Sequence, residues 1–459
     1  MAINSASTNQ PIWGTYYSFL IAATGSSIGL GNVWKFPYEL GHHGGTFLYV
    51  YLVCVLVIAF PLMVSELMLG RLGRSNPVRG VVIVAKRERL SSVWQIIGWL
   101  GVVSSFLIFS YYSAVASWVM FYAMKSVSGA FTAVPAEIVR YQFAALLRNT
   151  DQMLMWHSVF ILLVVFVLAQ EVRSGLEKAV RWLIPVFGIL LFIVAMYSRK
   201  LGDYDAAFEF MFDFDWHAIT AELLLSALTQ SLFSLSIGVG VLMMYGSYLG
   251  AKQPIVLGAG LIMAVDTVTA LVIGAIIFSI VFAYGLAPDS GVGLIFETLP
   301  VAFSQMTENS ILVSSLFFFL VLFAALTSGF ALLEPSIALI TNRFNIKRRI
   351  AAWLIGALAW LMGCVSIYSF SEWKFAFYYF GREREHGFFD LFNIVSVHVM
   401  LPLTVLLIAI FTAWRISQAV AREALNQPFK FVFVLWRSCT RYIVPAFMIG
   451  LVVAVVFLG

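Results

Sequence analysis

Lys35, Glu66, Glu222, Asp266 and Glu334 are ionisable side chains set in stretches otherwise apolar enough to cross a lipid bilayer. On insertion scales such a group costs at least ~2.5–3.5 kcal/mol at the membrane centre, so each needs a partner or a task. Asp266 offers hard oxygens suited to a cation. Glu66, in PLMVSELMLGRLG, can accept hydrogen bonds from main-chain amides freed in a broken neighbouring helix. Lys35 can form one half of a gate. Glu222 lies near a helix start and reads as interfacial, whereas Glu334, in LTSGFALLEPS, reads equally as a structural partner or a functional group. Thr327 and Ser328, adjacent in FAALTSG, add two hydroxyls, yet such residues also pack helices and bond back to their own carbonyls. His42 and His43 have no third ligand nearby and read as loop residues rather than a metal pair. Cys54, Cys364 and Cys439 show no metal spacing and read as small core residues.

The main chain adds the other polar atoms. SSIGLGNVWKFP at 26–37 places two glycines, a lysine and a proline inside an apolar stretch, and LSIGVGVLMMYG at 235–246 repeats its Ser-Ile-Gly-x-Gly theme. Gly25-x-x-x-Gly29 is also a small-residue packing motif. A dinucleotide fingerprint fits poorly, because no strand precedes the glycines and they fall at membrane depth. Asn32, Lys35 and Pro37 follow directly, and a simple helix crossing needs none of them. The pattern therefore predicts two interrupted helices, whose unwound backbone must line a cavity because lipid cannot satisfy it. Matching interruptions in two halves of a chain point to a transport site.

These groups must be held by membrane helices. The chain is 61% hydrophobic and 11% charged, with a mean hydropathy of +0.93, where soluble domains are about a quarter charged. Windows of about 20 apolar residues predict eleven spans, at 13–40, 44–70, 92–124, 154–170, 179–198, 217–248, 255–286, 311–342, 349–370, 387–413 and 431–458, numbered 1 to 11 below. The apolar runs are long and do not alternate, which excludes a β-barrel. Residues 1–12 carry no cleavable leader pattern. Basic residues concentrate in 71–90, 173–181, 343–349 and 415–441, while 203–215 is acidic. By the positive-inside rule the N-terminus is cytoplasmic and the C-terminus extracellular or periplasmic, in an inner membrane. The +5 net charge is this bias and not a nucleic-acid signal. No Ser/His or metal constellation converges at one depth, so an enzyme is not expected.

GSSIGLGNVWKFPY, GGTFLYVYLVCVLVIAFPLMVSELMLGR, QSLFSLSIGVGVLMMYGSYL and LFAALTSG resemble the neurotransmitter:sodium symporter family in its eleven-helix prokaryotic form, over residues 13 to about 412. The resemblance implies an all-α polytopic membrane protein. Two inverted five-helix repeats, 1–200 and 201–413, have spans 1 and 6 broken, and 414–459 adds one extra helix. It implies two sodium ions as co-substrates. One ion would take carbonyls of Gly25, Ile28 and Ala324 with the hydroxyls of Thr327 and Ser328. The other would take the Ser27 carbonyl, the Asn32 amide oxygen, Ser234 and Asp266. Asparagine is common at the last position, and an aspartate supplies the negative charge that chloride brings in chloride-dependent relatives, so chloride independence is expected. Ala270 adds no acid.

The same resemblance outlines a substrate site. Amides at Leu30 and Gly31, at a positive half-helix end, and the Tyr112 hydroxyl would bind a carboxylate, and carbonyls near Ser27 and Phe233 an ammonium group. Gly29 stands where monoamine carriers have aspartate, so the substrate brings its own carboxylate. Ile108, Phe233, Ser236, Val239, Ser328 and Leu332 would form an uncharged side-chain pocket for a neutral, hydrophobic or aromatic amino acid. Val239 replaces a phenylalanine of some relatives and leaves room for bulk.

Several positions depart from the family pattern. At the inner gate beside Trp13, the usual arginine and aspartate are Gln10 and Asn342. At the outer gate Lys35 replaces arginine, its partner position is Asn393, and Asp390 lies one turn away. The glycine cluster after His43 is one residue short. Gly175 and Pro185 on span 5 match a spacing that permits local unwinding, or else a static kink. A proton-coupled carrier of similar fold, using Asp266 or Glu334, and a non-transporting amino-acid receptor are the alternative readings.

Overall fold

The computed structural model describes residues 12–288, 293–306, 308–379, 382–426 and 429–450. Among the described residues nine helices are long and apolar enough to cross a membrane: Gly45–Gly73, Ser92–Val127, Thr150–Leu168, Arg173–Leu201, Ile255–Ala283, Ser310–Phe344, Arg348–Tyr368, Gly387–Arg415 and Lys430–Gly450. They correspond to spans 2–5 and 7–11. Spans 1 and 6 are each in two pieces. The first comprises Tyr16–Ser27 and, after a turn of wide helix at Gly31–Lys35, Phe36–His43; the second comprises Ala221–Ser234 and Val241–Ser247.

Burial sorts the spans by role. Among these nine helices span 8 is the most enclosed, with 83% of an apolar window buried, while span 5 has 17% and faces outward. Span 8 packs along span 3, and the second half of span 6 packs along span 2. The most enclosed of the uninterrupted spans is therefore the one that carries Thr327, Ser328 and Glu334.

Wide π-type turns recur, and four of them sit two residues before a proline: Gly31–Lys35 before Pro37, Val55–Ala59 before Pro61, Leu294–Thr298 before Pro300 and Ile394–Met400 before Pro402. Proline has no amide hydrogen and its ring crowds the preceding turn, so the helix relaxes to a wider winding there.

The connections hold more structure than hydropathy suggested. The basic stretch 71–90 contains a helix, Pro77–Arg87, whose start is capped by Asn76 accepting from the Arg79 amide at 3.0 Å. Further short helices occupy Ala136–Arg148, Tyr204–Phe212 and Gln418–Leu425. Asp203 and Asp215 of the acidic stretch cap helical turns by accepting from Ala206 and His217 amides. A two-stranded antiparallel hairpin pairs Phe377–Tyr379 with Arg382–Arg384. His42 and His43 end the helix Phe36–His43 and do not lie in a loop, because the chain turns only at Gly44, with φ +69°. Among the described residues no three His, Cys, Asp or Glu side chains form a metal cluster, and the three cysteines are free.

Candidate functional site

Span 1 unwinds at Ile28, which is extended at φ −72° and ψ 100°. Winding resumes through Asn32 and Val33 amides that both donate to the Gly29 carbonyl, at 3.1 and 3.2 Å. Leu30 and Gly31 thus open a new helical segment, where main-chain amides lack intrahelical acceptors. Span 6 unwinds differently. Ser236, Gly238 and Gly240 take positive φ values of 54°, 80° and 73° in alternation, a conformation that favours glycine at two of the three places. The freed Gly238 amide donates to the Glu66 carboxylate on span 2.

Three side chains lock the two interruptions together. Asp266 on span 7 accepts from Asn32 Nδ2 at 2.9 Å and from Ser234 Oγ at 2.7 Å, and its carbonyl accepts again from Asn32 at 3.2 Å. One fully buried carboxylate therefore bridges both broken helices. Ser236 Oγ donates to the Ser26 carbonyl at 3.0 Å. Gln230 Nε2 donates to the Gly31 carbonyl at 2.9 Å. Ser26 and Gln230 were not singled out from the sequence; Gln230 could have been, as a polar side chain in an otherwise apolar window.

A second group of oxygens lies where span 8 meets span 1. Ser328 Oγ is 3.3 Å from both the Ser26 and Ile28 carbonyls. Thr327 Oγ1 turns back to Phe323 and Ala324 carbonyls at 3.2 and 3.1 Å. A Cβ added at Gly25 would lie 3.5 Å from Thr327 Cβ and 2.8 Å from Ile184, the neighbour of Pro185 on span 5. Span 5 itself has a wide turn at Arg173–Glu177, in which Gly175 approaches the Val167 carbonyl so closely that a Cβ would fall 2.3 Å from it.

Between these groups lies a cavity of about 30 Å³, lined by Ser26, Ser27, Gly29, Leu30, Gly31, Ile108, Tyr112, Phe233, Ser236, Val239, Ser328 and Leu332. None of these side chains is charged. Tyr112 donates to the Ala325 carbonyl at 3.2 Å and lies within reach of Ser328 and the Leu30 backbone. A Cβ at Gly29 would fall 2.3 Å from Ser328 Oγ, which leaves no room for the aspartate of monoamine carriers. Ser234, which the resemblance also puts at the substrate site, donates its hydroxyl to Asp266 and is not among the residues that line the cavity.

The two ends of this cavity are unlike. On the Lys35 side, Leu30, Tyr112 and Phe233 also floor a vestibule of about 1700 Å³. Lys35 Nζ sits 4.9 Å above the Phe233 ring. Asp390 and Asn393 line the vestibule, but the Asp390 carboxylate accepts from the His386 amide at 2.9 Å. Asp390 therefore caps its own helix, and the contact of Lys35 is an aromatic face.

On the other side the chain is sealed. Trp13 donates through its amide to the Tyr248 carbonyl at 3.1 Å and through Nε1 to the Tyr245 carbonyl at 3.2 Å. Tyr248 Oη donates to Glu334 at 2.7 Å, and Arg348 Nη1 donates to the same carboxylate at 2.8 Å. Glu334 thus has a buried ion-pair partner that sequence inspection left undecided. Arg173 Nε holds the Ile12 carbonyl at 2.8 Å, and Glu177 accepts the Gly14 amide at 3.1 Å. Gln10 lies outside the described residues. Asn342 is part of span 8, two turns beyond Glu334.

The sodium:neurotransmitter symporter family model matches residues 10–136 and 142–458. The chain belongs to this family. A sodium-dependent transporter of Bacillus subtilis is 33% identical over 466 residues, covering 99% of this chain and 98% of its own length. The sodium-dependent nutrient amino acid transporter 1 of Drosophila grimshawi is 25% identical, over 80% of this chain and 66% of its own length. Among solved structures, MhsT in complex with L-phenylalanine superposes with a TM-score of 0.89 at 32% identity, covering 97% of this chain and 99% of that one. This symporter-family chain is thus a multi-pass sodium-dependent transporter, and the two interrupted helices form the heart of its fold. Its oxygen-rich groups suit a hard cation as co-substrate: carbonyls, hydroxyls and a single carboxylate.

Proposed function

We propose that the protein is a symporter that couples two sodium ions to uptake of a neutral, hydrophobic or aromatic amino acid, without chloride. The observation that carries this reading is the uncharged cavity framed by Gly29–Gly31 and Ser236–Val239, with Asp266 bridging both interruptions beside it. The Leu30 and Gly31 amides and Tyr112 suit a substrate carboxylate. The carbonyls of Ser27 and Phe233 suit its ammonium group. Ile108, Val239 and Leu332 suit an apolar side chain, and a charged one would be buried there without a partner, at a prohibitive cost. L-Phenylalanine bound to MhsT is consistent with this class. Asn32, Ser27, Ser234 and Asp266 would bind one sodium ion, and Gly25, Ile28, Ala324, Thr327 and Ser328 the other. The Asp266 carboxylate supplies the anion otherwise brought by chloride.

Transport then proceeds by alternating access. Spans 1, 2, 6 and 7 rock against the remainder, within two repeats at 1–200 and 201–413 and with 414–459 outside them. The Trp13 end is cytoplasmic, so the conformation described opens outward. One charge moving down 100 mV releases ~2.3 kcal/mol, and two ions release ~4.6 kcal/mol, enough for a gradient of ~10³-fold. The test is a screen of the twenty amino acids for binding to purified protein, with and without sodium, followed by uptake into liposomes. Sodium-dependent binding confined to apolar and aromatic amino acids is expected. Uptake driven by a pH gradient without sodium would overturn the proposal, as would saturable binding without counterflow or loss of uptake on chloride removal.

A further inference from the structure

At the Trp13 end, span 10 finishes at Arg415, and the chain passes through the helix Gln418–Leu425 into span 11 at Lys430. Arg437 there lies within electrostatic reach of Arg422 and Arg441. Arg437 donates to the Ile416 carbonyl at 3.2 Å, but its Nε and Nη1, and Nε of Arg441, are buried with no hydrogen-bond partner among the described residues. The acids of this region are engaged elsewhere: Glu423 pairs with Arg87 at 3.2 Å, and Glu88 accepts from Ser417. Arg422 adds a third charge, its guanidinium 4.8 Å above the Phe433 ring, and the planar guanidinium forks of such a cluster match the oxygens of a phosphate.

The depth of the cluster identifies its medium. Trp414 Nε1, on the last turn of span 10, donates to the Arg441 carbonyl at 3.1 Å, and the Arg441 guanidinium lies 4.5 Å above the Trp414 ring. Arg441 is therefore level with the end of a membrane span. Trp414 and Tyr442 are both exposed beside it, as aromatic residues are at a bilayer edge. From Tyr442 onward a groove opens between spans 10 and 11, where Leu403 and Leu406 face Ile443, Ala446 and Phe447. Its walls are apolar, and it is continuous with the vestibule.

We propose that Arg422, Arg437 and Arg441 bind the phosphate of an anionic phospholipid whose acyl chains occupy the groove between spans 10 and 11. A net anionic headgroup neutralises the cluster, whereas a zwitterionic one brings its own cation. Basic pockets between membrane helices recognise lipid headgroups in this way. The lipid packs behind the same span 10 that carries Asp390 and Asn393 into the vestibule.

The test uses purified, delipidated full-length protein in detergent, offered equimolar dioleoylphosphatidylglycerol and dioleoylphosphatidylcholine and read by native mass spectrometry. Retention of phosphatidylglycerol at least fivefold above phosphatidylcholine is expected, and tenfold excess inorganic phosphate should not displace it. The R437Q/R441Q variant should lose at least fivefold of that retention while sodium-dependent amino-acid binding is unchanged. Equal retention of the two lipids overturns the proposal without recourse to any variant. Displacement by inorganic phosphate overturns the lipid as the source of the anion, and undiminished retention in R437Q/R441Q overturns the site.

Discussion

The two ends of the central cavity are built from different physics. The Lys35 end is covered by Leu30, Tyr112 and the Phe233 ring, with one ammonium group resting on the ring face, and opens to a wide vestibule. At the Trp13 end, main-chain hydrogen bonds clasp the entering chain to span 6, and a buried carboxylate is held by Arg348 and Tyr248. An aromatic contact of a cation is worth about 0.5–1 kcal/mol when exposed, whereas removing one partner of a buried ion pair costs about 3–5 kcal/mol. The thin cover is within reach of thermal fluctuation, whereas the thick seal must break several buried contacts to open. That asymmetry is the property a coupled carrier requires, because slippage through the sealed end would dissipate the gradient.

The largest expected effect comes from attacking the seal. Glu334→Ala leaves Arg348 buried without its partner, a loss of about 3–5 kcal/mol, and thiol labelling of a cysteine introduced at the buried Ser247 should rise steeply. Unchanged labelling would show that the Trp13 clasp holds this end without the ion pair. Next is Gly29→Ala, which places a methyl 2.3 Å from Ser328 Oγ. Overpacking of about 1–3 kcal/mol should weaken sodium-dependent amino-acid binding on the order of 10- to 100-fold, as read by equilibrium binding. If affinity survives, the interruption in span 1 does not frame the substrate.

Asp266→Asn keeps the shape and removes the charge that both interruptions share. Sodium affinity should fall about tenfold, equivalent to ~1.4 kcal/mol, and uptake should become stimulated by chloride. A chloride-indifferent variant with normal sodium affinity would remove Asp266 from the ion site. The smallest effect belongs to the thin cover: Lys35→Gln should speed substrate dissociation about two- to fivefold, as expected from losing ~0.5–1 kcal/mol. A much larger acceleration would mean that Lys35 does more than rest on Phe233, and the two ends would differ less in strength.

Most of the fold was legible because membrane insertion is a local demand. Each span needs its own run of apolar residues, and each interruption needs its own glycines, so 26–37 and 235–246 announced themselves. The short connecting helices escaped notice for a related reason: Pro77–Arg87 and Ala136–Arg148 are amphipathic, and a hydropathy window averages their apolar face with their polar one. At the site, most residues that line the cavity are ones the family resemblance names, Ser26 being an exception, but the pairings are not legible in it. Glu334 gave no hint of Arg348, and nothing local showed that Asp390, one turn from the partner position of Lys35, accepts from the amide at the start of its own helix.

By itself the sequence determined the solvent, the long apolar helices, the places where two helices stop and the kinds of polar atom released there. Those properties depend on residues within a turn or two of one another, through transfer energies and backbone sterics. Only the tertiary structure decided that one carboxylate on span 7 ties Asn32 to Ser234, that Ser328 faces the Ser26 and Ile28 carbonyls, and that one end of the cavity is sealed while the other lies open. Such contacts join residues as far as 302 positions apart. They exist because close packing brings particular helix faces together, which no local pattern records.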